Sequence, residues 1–575
     1  MDYAPSSAQG QLRPAVRRFS ARSQRQGEPG WFRRAWPGAV TGLALGLLAV
    51  GPGLSRGFLL SYDMVFVPRE PFSAALPGLA PPRAVPSDLV IAAASRVLPG
   101  DIVQKAVLVS IFLLACAGAA ALLDREPPLA RLAAGAFYAW NPYVGERMII
   151  GQWALLLGYA GLPWVLRAVL VPDLVSRRGA QRLALTLLPA VIGGFAAMAI
   201  TALVAVPTAL LSRGDARPVL PRPGITASAR RAAVTLTALA AGSLPWFIPS
   251  LLHTVYVDPA SVAAFAARAD TPFGSVGSLL MLGGEWNAQT VPKGYGGMWS
   301  ALWLAVVIVA ILGYLLIARA QHRWPGLGIA AVAGLVIACL GVTAAGRDLL
   351  RWMISAWPGF AVLRDAQQFV APLALAEAAG FGLAVGWAMN ARMFGMKAGR
   401  HERARSVDAA GVILAVCALL APVLLLPGLA WGAAGRLRPA AYPAGWLAAA
   451  RMIDDSPARG DVLLLPFQTY RTPSWNHGEV VLDPWTRLLS RPVIWNDGTL
   501  VGDVELAPDD PRARRLDGAI RGTGPLTATL RAAGVRFVLD DADGPDPEGL
   551  QVRARLPGSV VIIEQPGLTV YLLPG

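Results

Sequence analysis

Between Pro37 and Trp431 the chain returns repeatedly to runs of about 20 apolar residues, the length a helix needs to cross a hydrocarbon core roughly 30 Å thick. Beyond Trp431 such runs stop. Lipid offers the backbone no hydrogen bonds, so spans of this kind must be helices that satisfy their own. Composition agrees: of 575 residues, 55% are hydrophobic and only 15% charged, far too apolar for a soluble globular chain. The expected fold is a polytopic α-helical membrane protein of about eleven passes followed by a small α/β domain. A formal net charge of +15 would suit nucleic acid, but the arginines sit in short segments between apolar runs and form no basic stripe interleaved with aromatics. Cys116, Cys339 and Cys417 all lie inside apolar runs, which speaks for small packing residues rather than disulfides or thiolate ligands.

The bias of Arg and Lys toward the cytoplasmic side sets the topology. Arg13, Arg17, Arg18, Arg22, Arg25, Arg33 and Arg34 precede the first apolar run, in an n-region too long for an ordinary cleaved signal peptide. Residues 1–34 therefore read as a cytoplasmic tail before an uncleaved anchor in the plasma membrane. The first pass leads out to a large loop, 55–101, that carries Asp63, Glu70 and Asp88; the third leads out to Asn141–Arg147. Leu183–Leu211 has basic segments on both sides (Arg177, Arg178 and Arg182, then Arg213, Arg217, Arg222, Arg230 and Arg231), which one crossing cannot satisfy. Two short passes or a re-entrant hairpin turning near Ile200 and Thr201 resolve this, and the hairpin is preferred. Later passes are expected at about 232–252, 300–318, 327–346, 369–390 and 409–431. The membrane module is then 35–431, and the domain 432–575 lies outside the cytoplasm.

In that domain Asp461–Pro466 and Val535–Asp540 read as buried strands, Pro525–Ala533 as a helix feeding the second, and Ser559–Glu564 with Thr569–Leu573 as a closing hairpin. Asp540, Asp541, Asp543, Asp546 and Glu548 lack the glycine and distal glutamate of a calcium loop and read as a solvated turn. Trp475, Trp485 and Trp495, with Tyr470, Asn476, His477 and Asp497, could contact a glycan or simply pack.

Carboxylates in a large outer loop set against membrane helices place a general base where a lipid-linked donor presents its head group. Glycosyl transfer from a polyprenyl phosphate needs a base for the acceptor hydroxyl, cations for the leaving phosphate and an apolar groove. Asp63 is the candidate base, with Glu70, Asp88 and Glu146 as secondary carboxylates. Arg147 and Arg364, at expected outer borders, are the candidate phosphate ligands, because a guanidinium gives paired, charge-assisted bonds. Asp63 could instead pair with Arg69, and Glu146 with Arg147. Glu377, within a pass, is notable as an ionisable group at membrane depth. His253 and Glu285, in the long outer loop, could line an acceptor channel. No metal-ligand spacing is present, so a divalent cation stays open rather than indicated.

Three segments carry a likeness to a known family: Asp63 in the first outer loop, Trp140-Asn-Pro-Tyr-Val-Gly-Glu-Arg147 followed by Gly151-Gln-Trp-Ala-Leu-Leu-Leu-Gly-Tyr159, and Pro358-Gly-Phe-Ala-Val-Leu-Arg-Asp-Ala-Gln-Gln-Phe369. Together they resemble actinobacterial membrane arabinofuranosyltransferases, most of all the α-(1→3) branching type, within the C-type (GT-C) glycosyltransferase superfamily. The resemblance implies a decaprenyl-phosphate sugar donor, inverting transfer outside the membrane to a cell-envelope polysaccharide, and a first-loop carboxylate as base, which falls on Asp63. This chain is much shorter than those enzymes and lacks their long carbohydrate-binding extension, which puts an arabinan acceptor in doubt. Two other classes compete. A transporter would use the hairpin and Glu377, but no inverted repeat accompanies them. A non-catalytic scaffold or lipid- or glycan-binding protein of envelope assembly would keep the fold without the chemistry.

Overall fold

The computed structural model describes residues 31–75, 85–211, 225–252, 256–397, 409–541 and 553–575. The basic residues of the N-terminal tail up to Arg25, the arginines 213, 217 and 222, His253, and the acidic residues 543, 546 and 548 lie outside the described residues.

Among the described residues seven helices are long and apolar enough to cross a membrane, or up to nine if each of two bent pairs counts as one span. The bent pairs are α9 (Pro325–Leu340) with α10 (Ala344–Ala356), turned by 94°, and α12 (Ala409–Leu425) with the short Pro427–Gly435, turned by 61°. The seven are α1 (Trp31–Val50), α2 (Gly100–Leu122), α5 (Trp153–Leu170), α6 (Arg177–Leu211), α7 (Ile225–Ser250), α8 (Ser300–Leu312 with its π-helical continuation to Ala318) and α11 (Ala371–Lys397).

The difference from the eleven runs of the sequence has two sources. The expected third pass is broken into α3 (Pro128–Ala139) and α4 (Pro142–Ile149), because Asn141 caps the second helix by accepting a 3.1 Å bond from the Val144 amide and Pro142 cannot continue the first. The other is α6, which breaks at Gly194 (φ 78°, ψ −152°), a backbone region open essentially to glycine alone. Its two arms fold back on each other: Leu183 and Leu187 from one, Ala205 and Ala209 from the other, pack with Val165, Ala168 and Val169 of α5. The hairpin expected from the flanking charges is thus present, with its turn at Gly194 rather than at Ile200 and Thr201.

Close approach by small residues builds the bundle, as it must where lipid competes equally for apolar side chains. Gly38, Gly42 and Gly46 form one stripe of α1 against α2, where a Cβ on Gly42 would stand 2.6 Å from the Phe112 carbonyl oxygen.

The C-terminal sheet has five strands: β1 (Asp461–Leu465), β2 (Val493–Ile494), β3 (Val535–Asp540), β4 (Val560–Gln565) and β5 (Leu568–Leu572). Their spatial order is β4-β5-β3-β1-β2, with β1 parallel to β2 and β3, and β5 antiparallel to β3 and β4. β1, β3 and the closing hairpin stand where the apolar runs place them, β2 was not expected, and Thr527–Ala532 is the helix before β3. The domain is stitched to the 55–101 loop: Phe58–Leu59 pairs with Pro439–Ala440, and the Tyr442 hydroxyl donates to the Phe66 carbonyl at 2.9 Å.

Candidate active site

Asp63 sits on a tight turn in which the Met64 amide donates to the Ser61 carbonyl at 2.8 Å, with Tyr62 at φ 45°. The turn is clamped from two sides. On the membrane side, the Asp63 amide donates to the Ile150 carbonyl (3.0 Å) and the Ser61 hydroxyl to the Ile149 carbonyl (2.7 Å), at the junction of α4 and α5. The approach needs Gly151, since a Cβ there would stand 2.1 Å from the Met64 amide nitrogen. On the other side, the Tyr62 amide donates to the Val480 carbonyl (2.7 Å), and the Tyr470 hydroxyl donates to Asp63 Oδ1 at 2.8 Å. Asp63 is half-buried between the bundle and the C-terminal domain. Arg69, the alternative partner read from the sequence, is exposed.

Behind this turn lies a buried polar cluster. Arg147 is 1% exposed, its guanidinium paired with Glu285 and lying 5.1 Å over the Tyr143 ring. Glu285 also accepts from the Gln367 side chain (3.3 Å) and the Trp286 amide (3.2 Å). Glu146 shares a hydrogen bond with Asp270, and the Asp270 carboxylate accepts from the Gly284 amide. Burial pushes the Asp270 carboxyl up to about 6 against the pull of that amide and of Arg268, and burial with the charge of Asp270 raises Glu146 further above the usual carboxylate range. The cluster corrects one expectation: Arg147, fully buried and ion-paired, holds the loop 270–285 against α4 instead of presenting its fork to solvent. Arg364 is half-buried, lies 5.1 Å over the Phe265 ring and pairs with Asp509 at 3.7 Å. Its neighbour Asp365 accepts from Gln152 at 3.3 Å, which brings the Arg364 segment to the same helix junction that holds Asp63.

Glu70 and Asp88 meet on Arg487 of the C-terminal domain, at 4.0 and 3.2 Å. Burial, and after it the charge of Asp88, raises Glu70 well above the ordinary carboxylate range, with Arg487 opposing. These two carboxylates fasten the 55–101 loop to the domain, and Arg487, on which they meet, also feels the charge of Asp63.

Of the three tryptophans, Trp485 is 0% exposed, stacks on Trp446 at 4.6 Å and donates to Asp541 at 2.7 Å, so no face of it is left for a glycan. Trp475 packs against Tyr442 and Trp446, and Trp495 lies against the main core; both are half-buried. Asp541 also pairs with Arg471, making it an internal anchor and no part of a solvated turn. Glu377 is buried in α11, and among the described residues neither of its oxygens has a hydrogen-bond partner. Among the described residues no group of three or more His, Cys, Asp or Glu is placed to hold a metal ion. The sequence gives Tyr470 only as a possible sugar contact and Gln152 only as part of the Gly151–Tyr159 segment, and gives no sign of Asp270 or Arg487; all four act through partners distant in the chain.

No protein-family model and no curated protein sequence matches the chain. Among solved structures, the arabinofuranosyltransferase AftD from Mycobacteria aligns with a TM-score of 0.58 and 17% identity, covering 95% of this chain and 40% of that one. The chain shares the fold of that protein. A mutant of the same mycobacterial protein aligns with a TM-score of 0.58 and 16% identity, over 95% of this chain and 42% of that one. This chain therefore spans about 40% of the length of the protein it matches. The archaeal oligosaccharyltransferase AglB from Archaeoglobus fulgidus, in complex with an inhibitory peptide and a dolichol-phosphate, covers 95% of this chain and 75% of its own at 12% identity, but its TM-score of 0.38 carries no weight.

Proposed function

We propose that this chain is a membrane glycosyltransferase that moves a sugar, arabinofuranose, from a polyprenyl-phosphate donor to a cell-envelope glycan at the outer face of the plasma membrane. The N-terminus lies in the cytoplasm and the C-terminal domain outside. Asp63 takes the proton of the acceptor hydroxyl as that oxygen bonds to the anomeric carbon; the bond from carbon to phosphate oxygen breaks, and the polyprenyl phosphate leaves with the electron pair, inverting the centre. Arg364 offsets the charge that grows on the leaving phosphate. Arg147 and Glu285 are positioning residues that hold the α4–α5 junction on which the Asp63 turn rests.

The observation that carries this reading is the clamping of Asp63: a half-buried carboxylate fixed between helix junction and domain, on a fold otherwise found in an arabinofuranosyltransferase. A base held this way loses little orientation when substrate arrives. The test is transfer from radiolabelled decaprenyl-phosphoryl-arabinose to a short arabinan by the purified full chain in detergent. Labelled product supports the reading. Failure with this and with other polyprenyl-phosphate sugars would replace it with a scaffold that keeps the fold without the chemistry.

A further inference from the structure

At the end of the bundle opposite Asp63 the helices enclose a cavity of about 1050 Å³ that the proposed reaction does not use. Its rim comes from the end of α2, the end of α5, the π-helical end of α8 and the start of α9. Four arginines, Arg125, Arg167, Arg319 and Arg323, line it against one carboxylate, Asp124. His322 stands beside them. Arg323 pairs with Glu126 at 3.0 Å, while Arg125 and Arg319 are exposed. The loop that presents Arg319, His322 and Arg323 holds two non-glycine residues at positive φ, His322 (53°) and Trp324 (50°), and the Tyr314 hydroxyl ties it down by donating to the Trp324 carbonyl at 2.7 Å.

The cavity is two-sided in its chemistry. Below the cationic rim its walls are apolar, and Leu315, Ile329 and Val332 are about half or more exposed, so the wall opens sideways toward the space that lipid fills. From Pro325 to Ala333 the lining descends α9 by about 12 Å at helical rise, enough for a head group and its first methylenes. The adjoining chain segment, 212–224, carries three arginines and one aspartate, the wrong sign to fill a cationic cavity.

We propose that this cavity binds one anionic phospholipid of the facing leaflet, its phosphate on Arg125 and Arg319 and its acyl chain along Leu315 and Val332. Arginine is suited to the phosphate by its planar fork, and a lateral apolar opening admits a chain that remains in the bilayer. The site is distinct from the proposed donor site, which lies at the other end of the bundle, and does not depend on transfer activity.

The test is native mass spectrometry of the purified full chain released from micelles containing equal dioleoyl phosphatidylglycerol and dioleoyl phosphatidylcholine. The wild type retains one phosphatidylglycerol in strong preference. Arg125→Gln and Arg319→Gln each lower that retention roughly fivefold, the value of one basic residue near an anionic head group, while Arg178→Gln, at the same end but outside the cavity, changes it less than about twofold. Val332→Trp, which leaves every charge in place and fills the apolar wall, also lowers it. Equal retention of the two lipids, equal losses from Arg178→Gln and Arg319→Gln, or displacement by millimolar inorganic phosphate alone would overturn the proposal.

Discussion

Tyr470 and Asp63 lie 407 residues apart in the chain and meet through a 2.8 Å hydrogen bond from hydroxyl to carboxylate. The bond joins the C-terminal domain to the residue proposed as base, so the domain helps aim the base whatever else it binds. Tyr470→Phe should lower the transfer rate about tenfold, in keeping with loss of one hydrogen bond to a charged group, and leave thermal unfolding little changed. Steady-state kinetics beside a melting curve checks both.

Gly151→Ala tests the other side of the clamp. A Cβ there would collide with the Met64 amide, and φ is +88°, so the turn bearing Asp63 must shift. The expected outcome is a protein that still folds and binds donor but transfers sugar about a hundredfold more slowly, the usual cost of roughly 1 Å of misplacement.

Removal of Arg487 should act on stability. Arg487→Leu leaves Glu70 and Asp88 facing each other in a buried site without their cation, a loss on the order of 3 kcal/mol at neutral pH. Glu70 is already raised by burial, so it takes a proton readily as pH falls, and protonation removes the repulsion. The variant should therefore recover part of its deficit at pH 5 relative to pH 7.5, as read by thermal unfolding in detergent.

Asp270 predicts a pH dependence of the fold itself. Its carboxyl stands at about 6 in the folded chain, above its unfolded value, so the native state binds more protons between the two. Stability should fall as pH rises from about 4 to about 6, and Asp270→Asn should remove about 2 kcal/mol of that slope. Unfolding midpoints across this range decide it.

The apolar runs made the membrane bundle legible because length and hydropathy alone specify a span, and four of the five strands were legible as short buried runs; the two-residue edge strand Val493–Ile494 is too short to carry such a signal. The flanking arginines of Leu183–Leu211 exclude a single crossing and favour a hairpin. Its turn lies at Gly194 and not near Ile200 and Thr201, because only the backbone angles of the folded chain single out one glycine of this small-residue run as the break. Asp63 could be singled out as a loop carboxylate. What it touches could not, since Tyr470, Gly151 and Val480 reach it only through tertiary packing. Arg147 misled for the same reason: a guanidinium at a helix end looks available until Glu285, 138 positions onward, is found covering it.

The central claim is that Asp63 removes the acceptor proton. Single-turnover transfer from decaprenyl-phosphoryl-arabinose by wild type, Asp63→Asn and Asp63→Glu, with donor affinity measured in parallel, tests it most directly. The account predicts that Asp63→Asn slows the chemical step by about 10²- to 10⁴-fold with donor affinity unchanged, and that Asp63→Glu recovers part of the rate. An Asp63→Asn protein that transfers sugar at the wild-type rate would contradict it.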